Sequence, residues 1–198
     1  MLADVRTGLR GAPGVLSHGD LILASAKQAA ALKPDFVLQV GARLISKRVQ
    51  EWMMAARPAV YAVLAPQPSR VDPGHAVTHR VVSDLPDACR ALARDVRPLI
   101  ESGWRARWQR ADRVVVGQLA RAFAAPTGLT EPWVARELAD TLRRDETWVL
   151  ASSMPVRDAE LFARRTPGRV LANRGASGID GTLATACGAQ AAGAAVTL

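Results

Sequence analysis

The sequence predicts an α/β fold, because apolar runs of strand length alternate with helix-period tracts, proline and glycine punctuate the crossings, and 49% hydrophobic residues supply a core. The first residues, MLADVRTGLRGAPG, contain no element long enough to begin a fold. HGDLILASAKQAAAL reads as a short helix, and DFVLQVG, 35–41, as a buried strand bounded by Pro34 and Gly41. Ser46 can cap KRVQEWMMAA, in which Val49, Trp52 and Met53 share a helical face. AVYAVLAP, 59–66, is the next strand, and HAVTHRVV, 75–82, an alternating strand suited to a sheet edge. After the turn SDLPDA, the spacing of Leu92, Val96, Leu99 and Ile100 approximates a helix that Pro98 interrupts. A second amphipathic helix places Trp104 and Trp108 at i,i+4 as core anchors and continues through Val115 and Leu119.

PTGLTEPW is the best internal boundary: Pro126 and Gly128 break the chain, and Thr130 can cap a helix with Pro132 in its first turn and Val134, Leu138 and Leu142 on one face. A new α/β unit follows. TWVLASS, 147–153, is a strand, PVRDAELFARR a helix, RVLA, 169–172, a strand, and a glycine-rich loop leads into DGTLATACGAQAAGAA, whose small residues point to close helix packing. The terminal VTL reads as a strand just beginning, from which sequence beyond the C-terminus is expected.

With 26 Lys and Arg against 18 Asp and Glu, the net charge of +8 favours anionic ligands without distinguishing phosphate, carboxylate or nucleic acid. Cys89 and Cys187 lack metal-site spacing and point to a reduced compartment with no obligatory disulfide. No apolar stretch approaches the roughly 20 residues of a membrane span, and no export signal opens the chain. His18, His75 and His79 form no HExxH motif, GVLSHGD is no nucleophile elbow, and Asp158 with Glu160 makes no coherent catalytic pair. No nucleic-acid-binding motif accompanies the charge.

Three places keep two readings open. In ASSMPVRD, Ser153 can cap the helix with Arg157 one turn on, either as an anion site or as an ordinary helix start with a solvated arginine. Lys47, after Ser46 at another strand-to-helix crossing, is an anion ligand or an exposed cation. GASGIDG has the wrong spacing for a dinucleotide fingerprint, and no P-loop is present; Arg174 beside Gly175 can grip an anion with its planar fork or simply face solvent. Together Lys47, Arg157 and Arg174 make a plausible carboxylate-binding set.

NRGASGIDGTLATA, 173–186, preceded by SSMPVRD, 152–158, closely resembles the 2-succinyl-5-enolpyruvyl-6-hydroxy-3-cyclohexene-1-carboxylate synthase family of thiamine-diphosphate enzymes in menaquinone and phylloquinone biosynthesis; LADVRTGLR, HGDLILAS and DFVLQVGARLISKRVQEWM support it. The resemblance implies a parallel-sheet, Rossmann-like fold: residues 1–125 as a partial central domain, and 126–198 as linker and N-terminal part of the diphosphate-binding domain. It implies decarboxylation of 2-oxoglutarate on thiamine diphosphate and 1,4-addition to isochorismate, with Mg²⁺ or Mn²⁺ whose ligands are expected outside this chain. Lys47, Ser153, Arg157 and Arg174 match the family's substrate-binding positions, as carboxylate binders and orienters; no catalytic residue is assigned. Ser152 stands where the family commonly has asparagine, which leaves a local hydrogen bond open. A homodimer or higher homo-oligomer is implied for the full-length enzyme, in the cytoplasm, or in the chloroplast of a photosynthetic eukaryote, with neither nucleic acid nor membrane span. The alternative is a catalytically incomplete fragment acting as an α/β binding module.

Overall fold

A computed structural model describes residues 1–68, 72–97, 103–124, 128–175 and 180–198. In chain order the elements are a 3₁₀ turn at Val5–Thr7, α1 (Gly19–Ile22), α2 (Ala26–Ala31), β1 (Phe36–Val40), α3 (Lys47–Ala56), β2 (Val60–Ala65), β3 (His79–Val82), α4 (Leu85–Asp95), α5 (Trp104–Ala122), α6 (Glu131–Thr141), β4 (Glu146–Leu150), α7 (Met154–Phe162), β5 (Arg169–Ala172), α8 (Gly181–Ala191) and β6 (Ala195–Thr197). All described strand pairs are parallel, as an α/β fold requires. The chain divides into two compact units, Leu23–Arg107 and Met1–Ile22 with Trp108–Leu198, so the division falls within α5. The boundary expected at 125/126 lies outside the described residues.

In the unit Leu23–Arg107 the sheet order is β1-β2-β3. Ser46 accepts from Val49 N at 3.0 Å and starts α3, which buries Val49 and Met53. The helix expected across HGDLILASAKQAAAL is instead two, because Ser25 accepts from Gln28 N and caps α2 anew. Trp52 Nε1 and Trp104 Nε1 donate to the carbonyls of Ala29 and Leu32, holding the end of α2 from two helices. β1 is buried on one face only: Val37 and Gln39 face inward while Phe36, Leu38 and Val40 are exposed, correcting the fully buried strand expected there. β3, exposed and paired only with β2 among the described strands, is the edge expected. It begins at His79 rather than at His75, because the Asp72 carboxylate accepts from Ala76 N and Val77 N, both at 2.9 Å, and bends these residues away from the ladder. α4 ends at Asp95 with Val96 extended, so Val96 is not on its face; Leu99 and Ile100 lie outside the described residues.

In the other unit the order is β5-β4-β6, with β4 central. The strand expected at the terminal VTL is present one residue earlier, as β6 over Ala195–Thr197, pairing with β4. Trp148, Val149 and Leu150 of β4 are buried with Val156, Ala159 and Ala163 from α7 and its end, and α6 packs on α7 with Ala135 and Ala139 buried. Thr130 caps α6 as expected, whereas Leu142 lies just past its end. Trp108 is buried here. α8 packs on β4 and β6 but buries only Thr182 and Ala186, and among the described residues a side chain at Gly188 would meet open space, so the small residues are not required by close packing there.

The opening residues, which promised no element, are built into this unit. Gly8, at φ +66°, lies so close to the Gly168 carbonyl that a Cβ would collide with it. Arg10 is 1% exposed and pairs with Glu160 of α7 at 2.7 Å. Burial pushes the Glu160 carboxyl up to about 7 against the downward pull of Arg10. His18 is buried against Leu161, and burial lowers its pKa from the usual value.

Candidate functional site

β4 and β5 are parallel neighbours, so the segments that follow them, 151–153 and 173–175, leave the sheet at one carboxyl edge, where open α/β sheets place their ligands. A polar frame joins these segments. Ser152 is buried and its hydroxyl donates to the Asn173 carbonyl at 2.5 Å. Asn173 Nδ2 donates to Thr185 Oγ1 at 3.0 Å, and the Thr185 hydroxyl donates to the Gly181 carbonyl at 2.8 Å. The loop after β4, the loop after β5 and the first turn of α8 are thereby fastened together. Ser152, whose local hydrogen bond the sequence left open, thus has a definite partner. Asn173 and Thr185 were not singled out from the sequence; their twelve-residue separation becomes a contact only once β5 turns into α8.

Ser153 occupies the residue before α7 but does not cap it: its side chain makes no cap hydrogen bond, and its backbone sits at φ 78°, ψ −125°. A non-glycine residue at positive φ costs about 1–3 kcal/mol and persists where surrounding structure imposes it. Here the turn is fixed on one side by buried Ser152 and on the other by Pro155 in the first turn of α7. Ser153 is exposed, and Arg157, four residues on and one helical turn away, is exposed too. Both stand at the amino end of α7, where the helix dipole favours anions. Arg174 is exposed two residues beyond β5, beside the Ser152–Asn173 tie. Three of the four expected residues, Ser153, Arg157 and Arg174, therefore share one sheet edge. Residues 176–179, the middle of the glycine-rich loop, lie outside the described residues, and with them the backbone amides expected to assist Arg174.

Lys47 belongs to the other unit, where it is the first residue of α3, 86% exposed and 3.3 Å from Glu51 at i,i+4. Such an exposed pair holds the ammonium only weakly, at about 0.3–0.5 kcal/mol. That unit also contains a cavity of about 740 Å³ at the carboxyl ends of β2 and β3, with Arg43, Asp72, His75 and Arg80 among its walls and Lys47 not among them. Among the described residues no three His, Cys, Asp or Glu side chains gather into a metal-holding group. No described helix is long and apolar enough to cross a membrane.

The family model for the middle domain of thiamine pyrophosphate enzymes matches residues 1–149. The 2-succinyl-5-enolpyruvyl-6-hydroxy-3-cyclohexene-1-carboxylate synthase of Rubrobacter xylanophilus is 44% identical, over 99% of this chain and 34% of its own length. The protein of the same name from Salinibacter ruber is 42% identical, over 95% of this chain and 32% of its own. Arabidopsis thaliana contributes the protein PHYLLO, chloroplastic, 30% identical over 87% of this chain and 11% of its own length. The chain spans about a third of the length of the two bacterial relatives.

Proposed function

This chain belongs to the family of thiamine pyrophosphate enzyme middle domains, and from that premise we propose that it works within a 2-succinyl-5-enolpyruvyl-6-hydroxy-3-cyclohexene-1-carboxylate synthase. The reaction joins 2-oxoglutarate, after loss of carbon dioxide, to isochorismate. Both substrates are polycarboxylates, and the observation that supports the reading is that β4 and β5 are parallel neighbours, so that the segments carrying Ser153 and Arg174 leave the sheet at one carboxyl edge, with Arg157 in the first turn of the helix that follows β4. Their work is to bind and orient. An arginine fork grips a carboxylate with two charge-assisted hydrogen bonds, a hydroxyl adds a third donor, and the α7 amino terminus supplies a favourable field. Lys47, in the unit Leu23–Arg107, is assigned the same kind of work, carboxylate binding, on its own unit. None of the four is assigned a proton transfer.

Family membership implies thiamine diphosphate, which supplies the electron sink for decarboxylation when bound. The described residues do not fit the cofactor's metal and diphosphate by themselves, since they bring no acidic or imidazole cluster together. The Mg²⁺ or Mn²⁺ ligands, the homo-oligomeric assembly and the cofactor-activating group are assigned, by the resemblance to the synthase family, to other parts of the synthase. Residues 126–198 are assigned to the linker and opening of the diphosphate-binding domain, and the protein to the cytoplasm or, in a photosynthetic eukaryote, the chloroplast.

The test is chemical. The protein at its native length is incubated with 2-oxoglutarate, isochorismate, thiamine diphosphate and Mg²⁺, and the product is identified by mass spectrometry. The adduct forming only when both substrates are present is the expected result. Consumption of neither substrate by a folded, cofactor-saturated protein refutes the reading and leaves the alternative, an α/β binding module without turnover.

A further inference from the structure

The Ala159 carbonyl of α7 accepts from Ala163 N at 3.0 Å, and the carbonyls after it are the ones a helix end leaves without a partner of its own. Its C-cap, Ala163, is extended, and no glycine turn follows to satisfy them. Side chains from the first 20 residues of the chain do so instead. Arg10 Nη1 donates to the carbonyls of Ala159, Glu160 and Ala163 at 3.2, 2.7 and 2.9 Å. Its Nη2 meets Glu160 Oε2 at 2.7 Å, and its Nε returns to the Ala3 carbonyl at 2.9 Å. His18 Nδ1 carries its proton toward the Leu161 carbonyl at 3.1 Å, and the Ser17 hydroxyl donates to the Arg164 carbonyl at 2.7 Å. Val5 N donates to the same Glu160 oxygen at 2.7 Å. One short segment thus grips the whole carboxyl end of α7.

The other end of this helix carries Ser153 and Arg157. Arg157 precedes Ala159 and Glu160 by two and three residues, about 3–5 Å of axial rise. A helix this short moves as a rigid piece, so releasing its carboxyl end displaces its first turn. We infer that Arg10, with Ser17 and His18, is a positioning set: it holds α7 so that Ser153 and Arg157 stand at the substrate carboxylate. This rests on the carboxylate-binding role proposed above. It also gives the motif LADVRTGLR, otherwise without a function, a defined job. The guanidinium suits that job because its donors are spread over three nitrogens, Nη1 toward the α7 carbonyls, Nη2 toward the Glu160 carboxylate and Nε toward the Ala3 carbonyl, a spread that a lysine's single ammonium nitrogen cannot reproduce.

The experiment is a mutational cycle in the native-length protein, using Arg10→Lys, Arg157→Lys and the double variant, with KM and kcat measured for 2-oxoglutarate and isochorismate. Arg10→Lys is expected to raise KM about tenfold for the same substrate that Arg157→Lys affects, and to add less than about twofold in the Arg157→Lys background, because it acts through Arg157. A lower thermal midpoint with unchanged KM, or the same factor in both backgrounds, overturns the inference and leaves Arg10 a purely structural residue. If Arg157→Lys itself leaves both KM values unchanged, it is the carboxylate-binding role that fails, and the positioning claim with it. Should Arg10→Lys not fold, Ser17→Ala, which removes one neutral hydrogen bond, enters the same cycle; a KM rise of about threefold confined to the intact Arg157 background is expected, and no rise overturns the inference.

Discussion

Replacing Glu160 by glutamine probes the balance of forces at the clamp on α7. Glu160 is 7% exposed, faces Arg10 and the Val5 amide, and has the carboxylates of Asp4 and Asp20 near enough to oppose its ionisation. Burial dominates, and the carboxyl is pushed from 4.5 to about 7. Below about pH 4.5 the folded and unfolded chains both hold this proton; between there and about 7 the unfolded chain releases it while the folded chain keeps it; above about 7 both are ionised. The stability contributed by Glu160 is thus present at low pH and lost as pH rises through that window. At about 1.4 kcal/mol for each pH unit the loss comes to about 3 kcal/mol. Glutamine does not titrate. Urea unfolding of the native protein and Glu160→Gln between pH 4.5 and 8 is therefore expected to show the native protein losing about 3 kcal/mol relative to the variant, most of it below pH 7. A difference that stays flat, or grows in favour of the native protein as pH rises, refutes the reasoning, since it would mean that Arg10 outweighs burial and keeps Glu160 ionised throughout.

Other perturbations test other joints. Gly8→Ala places a Cβ against the Gly168 carbonyl at a left-handed φ and is expected to cost about 2 kcal/mol or more by chemical unfolding. Ser153→Gly relieves the positive φ and is expected to gain about 1 kcal/mol of stability while raising KM for a substrate carboxylate, so that stability and binding move in opposite directions. Ser152→Ala removes the donor to the Asn173 carbonyl and is expected to cost about 1 kcal/mol, with faster amide hydrogen exchange at 173–175.

What was legible in the sequence was local. Ser46 and Thr130 cap their helices because a hydroxyl three residues before a free amide needs nothing but that spacing. The strand-helix alternation gave the parallel sheets. What escaped is what distant residues impose. The opening residues have no periodicity, yet Arg10 and Ser17 are buried against a helix about 150 positions away, a relation no local pattern encodes. β3 lost its first half to the Asp72 carboxylate, and the helix through Ser25 was cut by that residue's own cap. Of the candidate site, the residue types were readable from the motifs at 152–158 and 173–186. That both motifs leave the sheet at the same edge depended on β5 pairing with β4, and the Ser153 geometry depended on how Ser152 and Pro155 fix the turn.

The most direct test of the central claim, that the carboxyl edge of β5-β4-β6 binds substrate carboxylates, is the KM of the native-length protein for 2-oxoglutarate and isochorismate with Arg157→Lys and Arg174→Lys. Losing a charge-assisted fork is worth about 2–3 kcal/mol, so a KM rise of about 30- to 150-fold for at least one substrate is expected from each variant, with the fold intact by circular dichroism. Unchanged KM values for both substrates in both variants would contradict the account.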